Sequence, residues 1–108
     1  MVLGKYEIVY HLYVQFEVDD GEGRWRERRC SYVRHLVIHW LEEWTNPKFC
    51  RDVTAAKVVI YAVNMATGRF APTKTAFEWG KGAVMPGYND ITIAVKAAEQ
   101  ALVKSIKE

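Results

Sequence analysis

The chain has little that would staple it, anchor it in a membrane or charge it strongly. Its two cysteines, Cys30 and Cys50, stand 20 residues apart, so the C-x-x-C spacings of structural zinc and redox sites are missing. A single disulfide stays open, but two free thiols in a reducing compartment is the simpler reading. No run reaches the ~18 apolar residues of a membrane span. Near the N-terminus, apolar residues alternate with Glu7, His11, Gln15 and Glu17, a pattern of strands and not of signal peptides. A cytoplasmic protein without membrane attachment is therefore expected.

Net charge is also small. Fifteen basic and 13 acidic residues leave +2, whereas polyanion binders usually carry a strongly basic domain or a concentrated stripe. Nucleophile-elbow, dinucleotide-fold and paired-carboxylate signatures are absent. Gly80-Lys81-Gly82 lacks the P-loop spacing and reads as a connector. No cofactor is implied, and catalysis is not favoured.

Half of the residues are apolar and 13% are aromatic, which is opposite to the composition of disordered chains. A chain of this size buries roughly 60–70% of its unfolded surface, enough for one core. Residues 1–108 thus read as a single compact domain.

Tyr6, Ile8, Tyr10, Leu12, Val14, Phe16 and Val18 recur at period two, which predicts a long strand whose even side is buried and whose odd side is half solvated. Residues 19–23 supply turn chemistry. Residues 24–30 are open to two readings, and a short return strand is favoured because four arginines would oppose the dipole at a helix start. Ser31 is the expected N-cap of a helix whose apolar arc is Val33, Leu36, Val37, Trp40, Leu41 and Trp44, and Asn46-Pro47 ends it.

Residues 56–66 read as a central strand covered on both faces. Residues 73–79 resume alternation, with Thr75, Phe77 and Trp79 on one side. Asn89 or Asp90 is expected to cap a final helix with Ile91, Val95, Ala98, Leu102 and Ile106 buried. The expected fold class is α+β, a two-layer sandwich of order β-(β)-α-β-β-α. Its sheet has three or four antiparallel or mixed strands, with two helices on one face. With the return strand, the chain is two successive ββα units.

Five of the seven arginines lie within residues 24–34, beside Trp25 and Tyr32. Arginines and aromatics together are common interface anchors. Tyr13, Arg24, Trp25, Arg26, Arg28, Arg29, Tyr32 and Arg34 form the candidate binding set. The same interleaving suits single-stranded nucleic acid, through phosphate contacts and base stacking. Against that, Glu17, Asp19, Asp20 and Glu22 lie across the turn, where a hairpin could neutralise the arginines. His35, His39 and Glu43 share one helix flank at i, i+4, i+8, a weak candidate for metal because the zincin general base is missing.

If residues 24–30 are not a strand, the order β-α-β-β-α resembles that of the RNA-recognition-motif family. Val9-Tyr10-His11-Leu12 is similar to its first aromatic signature. The second signature is not matched in residues 68–73, which Pro72 interrupts, and no fourth strand follows. Tyr10 also falls on the core face, so the likeness stays local and membership of the family does not follow.

The leading expectation is a small non-catalytic protein-binding module of adaptor or inhibitor type, using the Arg/aromatic hairpin and a sheet edge. Its partner is unidentified. Nucleic-acid binding through Arg24–Arg34 is the alternative, and an uncovered strand edge would also suit a homodimer.

Overall fold

Period-two alternation builds the centre of the molecule. In a computed structural model, which describes residues 2–17, 23–45, 53–80, 82–84 and 86–107, seven elements follow one another. They are β1 (Val2–Leu3), β2 (Tyr6–Glu17), β3 (Gly23–Cys30), α1 (Val33–Thr45), β4 (Val53–Asn64), β5 (Phe70–Gly80) and α2 (Tyr88–Lys107). The α+β class and the two helices are as expected, and the sheet is antiparallel throughout, with five strands where three or four were expected. The additional one is the two-residue β1, too short to leave a periodic signal.

β2 and β4 are central. β3 and β1 both pair with β2, and β5 pairs with the far side of β4. Each hairpin therefore places its first strand in the middle and its second at an edge, so exchanging the two ββα units maps the order β3-β2-β4-β5 onto itself. Residues 24–30 are a strand, paired with β2 from Tyr10↔Cys30 to Phe16↔Arg24. That pairing removes the condition on which the RNA-recognition-motif order depended.

Register places the apolar side chains together. Ile8, Tyr10, Leu12 and Val14 stand opposite Ala62, Ile60, Val58 and Ala56, all buried. Both helices close over this face, and of the arcs read from the sequence Val33, Leu41, Ala98 and Ile106 pack against it. Leu36, Val37 and Trp40 of α1 and Ile91, Val95 and Leu102 of α2 are buried in the same cluster. Tyr10 adds a polar tether, its hydroxyl donating to the Glu99 carboxylate of α2. The burial and the carboxylate together push the Tyr10 phenol well above its ordinary range, so it remains a donor.

Local details depart from the expected pattern. α1 begins at Val33, and the Leu36 amide donates to the Tyr32 carbonyl, so Tyr32 and not Ser31 occupies the cap position. α2 begins one residue before Asn89. Asp90 sits inside it and accepts from the Gly87 amide, the reach-back half of a capping box. In β5, register shifts separate Val58↔Phe77 from Val59↔Thr75, which leaves Ala76 as an inserted residue. Ala76, Phe77 and Trp79 consequently all pack against the core, while Thr75 belongs to the other face.

The expectation that β4 is covered on both faces is also corrected. Among the described residues both helices lie on one side, and the odd side of the sheet carries no second layer. Val18, Asp19, Asp20, Glu22, the expected helix end at Asn46-Pro47, and Cys50 lie outside the described residues, as does the side chain of Trp44. No helix among those described is long and apolar enough to cross a membrane.

Candidate functional site

Because side chains alternate across a strand, the arginine-rich β3 cannot present one patch. Trp25, Glu27 and Arg29 share the uncovered face, and Arg24, Arg26 and Arg28 project toward the helix side. Their cross-strand partners on β2 are Phe16, Val14 and Leu12, and Arg29 stands opposite His11. Thus no described carboxylate of β2 directly faces an arginine.

α1 supplies one instead. Glu43 is only 5% exposed, and its Oε1 lies 3.3 Å from Arg28 Nη2 and 4.0 Å from Arg26 Nε. Two of the eight candidate binding residues thus hold α1 against β3. Tyr32 and Arg34 lie at the start of α1, beside a cleft also lined by Tyr10, Lys96 and Glu99. The flank of His35, His39 and Glu43 does not converge. His35 meets Tyr32 edge-on, His39 Nδ1 is 3.5 Å from Glu42, and among the described residues no three His, Cys, Asp or Glu side chains cluster as metal ligands would.

Tyr13, Trp25 and Arg29 come together on the uncovered face, with residues that sequence reasoning did not single out. At its centre is His11, 8% exposed although none of the described helices covers it. Its ring stacks on Tyr13 with centroids 4.4 Å apart and tilts against Tyr61 at 6.1 Å. Phe70 packs edge-on to Tyr61 at 4.9 Å. Trp25 meets Tyr13 at 6.4 Å, and Lys57 Nζ lies 5.1 Å from the centroids of both rings. The signal available for Tyr61 was its odd parity in residues 56–66, shared with Val59 and Val63.

The polar groups at this centre are paired in order. His11 Nε2 donates to Glu27 Oε2 at 3.1 Å, which leaves Nδ1 to accept from the Tyr13 hydroxyl at 3.3 Å. Burial lowers the imidazole below its ordinary value and Arg29 acts the same way, while Glu27 opposes them. This neutral tautomer fits both hydrogen bonds. The sequence hydroxyl, imidazole, carboxylate has the formal order of a catalytic triad. Yet burial raises the Tyr13 phenol, so the hydroxyl is not activated as a nucleophile. Cys30 is likewise buried with its thiol pushed up, which disfavours the reactive thiolate.

His11 has a measurable consequence. Above about pH 6.5, the ordinary histidine value, it is neutral in both states and the native fold keeps its full stability. As pH falls through that value the unfolded chain binds the proton first, so stability declines until the native imidazole is protonated too. His11→Gln should therefore lose less melting temperature than wild type between pH 7.5 and pH 5.5, and Glu27→Gln should lose more. Equal losses in all three would remove His11 as the source.

A cleft of about 330 Å³ opens beside this centre, lined by Arg29, Tyr13, Val59, Tyr61, Phe70 and Thr73 along with His11. Arg29 is exposed at one side, and Phe70, 71% exposed, stands at the other. No protein-family model, no curated protein and no solved structure matches the chain.

Proposed function

We propose that the chain is a small protein-binding module whose contact surface is the uncovered face of the sheet, continued onto the β2–β3 hairpin. The observation that carries this reading is the row Trp25, Tyr13, His11, Tyr61 and Phe70, each ring meeting the next, on a face without a covering layer among the described residues. Phe70 and Trp25 expose 71% and 48% of their surface. A row of aromatic rings exposed at both ends marks an interaction surface more often than isolated exposed rings do.

The sheet edges offer weaker support. β3 ends the sheet with a row of arginines, and β5 combines Pro72 with two register irregularities, devices that discourage edge pairing. The nucleic-acid reading is supported by the arginines and by Lys57 against two aromatic rings. It is weakened by the attachment of Arg26 and Arg28 to Glu43. The balance on the uncovered face also opposes it, with Arg29 and Lys57 set against Glu7, Glu27 and Glu78.

The test is affinity capture from lysate, with and without nuclease, using wild type and the surface double variant Trp25→Ser/Phe70→Ser. Nuclease-resistant partners lost from the folded variant are the expected outcome. Partners retained by the variant would refute the assignment of the surface. Partners that vanish on nuclease treatment, with oligonucleotide binding that weakens steeply with salt, would favour nucleic acid.

A further inference from the structure

We infer that the cleft on the uncovered face takes an apolar side chain of a partner segment while Arg29 takes a neighbouring carboxylate. The preferred partner is thus a peptide segment in which a large apolar residue lies close to an aspartate, a glutamate or the C-terminal carboxylate. This rests on the protein-binding reading above and specifies its chemistry.

The apolar half follows from the lining. Val59 and Tyr61 lie on β4 and Phe70 begins β5, so a side chain entering between them meets ring and aliphatic surface on several sides. At about 330 Å³ the cleft sits at the bottom of the range of about 300–1,000 Å³ typical of small-molecule sites. That is room for one large side chain.

The charged half follows from what surrounds Arg29. On this face Glu27 is engaged by His11, and Lys57 stands opposite Glu78 with its ammonium against Tyr13 and Trp25. Arg29 is exposed and takes part in no ion pair among the described residues. A guanidinium at the rim of an apolar cleft matches one carboxylate in bidentate geometry. A polyanion would meet three carboxylates on the same face for two cations, which disfavours it.

Random peptides displayed on phage, selected on the immobilised wild-type domain, provide the test. Enriched peptides should share an apolar residue near an acidic one. Binding of a synthetic representative should fall by about tenfold to a hundredfold for Arg29→Glu, and replacing its acidic residue with lysine should restore affinity for that variant. Both Arg29 and Phe70 are exposed, so Arg29→Glu and Phe70→Ser should fold, which thermal melts would verify.

If peptides bind Arg29→Glu undiminished but lose affinity for Phe70→Ser, carboxylate recognition is overturned and the uncovered face stands as the contact surface. If neither substitution matters, both readings fall. A selection that enriches nothing overturns the peptide chemistry, while lysate capture still decides the parent reading. Displacement of the peptide by a thymidine oligonucleotide would assign the face to nucleic acid. A sedimenting dimer dissolved by Phe70→Ser would assign it to a second copy of the chain.

Discussion

Trp40→Ala is expected to lower stability by about 3–5 kcal/mol, the usual cost of truncating a fully buried tryptophan. Trp40 is 1% exposed and meets Phe77 edge-to-face, with ring centroids 5.5 Å apart. Since α1 belongs to the first ββα unit and β5 to the second, this contact joins the two halves of the chain. The loss is therefore expected to affect the whole fold and not one helix. For a domain near this size, roughly 4–8 °C of melting temperature accompany each kcal/mol. The variant should thus melt roughly 12–40 °C below wild type, in a single transition. A small loss, or a separate early transition for α1 alone, would show that the halves do not share one core.

Arg28→Ala carries the second large effect. Its guanidinium is the nearer partner of the Glu43 carboxylate, whose Oε2 has no hydrogen-bond partner among the described residues. Removing one member of a buried pair costs about 3–5 kcal/mol, because the other charge stays desolvated. The Arg28 side chain is 34% exposed and Arg26 remains nearby, so about 2–3 kcal/mol is expected here. Adding Glu43→Leu should recover most of the loss, since an apolar replacement of similar size leaves no buried charge. Urea unfolding of the single and double variants measures both quantities. If Glu43→Leu makes Arg28→Ala worse, the arginine contributes through its packed stem and not through the pair.

The core was legible where one period held without interruption. Alternation from Tyr6 to Phe16 and the apolar arcs of the two helices each specify a buried face, and the structure places those faces together. β5 was less legible because the inserted Ala76 shifts Phe77 and Trp79 relative to Thr75, and an insertion in one strand is invisible without its partner. The odd side of β4 misled for a different reason. Val59, Tyr61 and Val63 have the composition of a covered face, but what covers them is the neighbouring side chains of one layer, Tyr13, His11 and Phe70 among them.

The candidate site was legible only in part, because a sequence cluster is not a surface cluster. Arg24, Arg26, Arg28 and Arg29 are close along the chain, yet strand alternation turns Arg26 and Arg28 toward Glu43 and leaves Arg29 with Trp25 and Tyr13. His11, Lys57, Tyr61 and Phe70 reach the same place from other strands, through register that only pairing defines. The small net charge also gains a location. Opposed charges meet between β3 and α1 at Glu43, and on the uncovered face Glu27 is held by His11.

The most direct test of that face as the contact surface is an amide chemical-shift titration of the isotope-labelled domain with the captured partner or a selected peptide. The largest shifts are expected at His11, Tyr13, Arg29, Tyr61, Phe70 and Thr73, with little change on the solvent side of the helices. Shifts concentrated instead around the exposed Ile38 and Ile93, with the uncovered face unmoved, would contradict it.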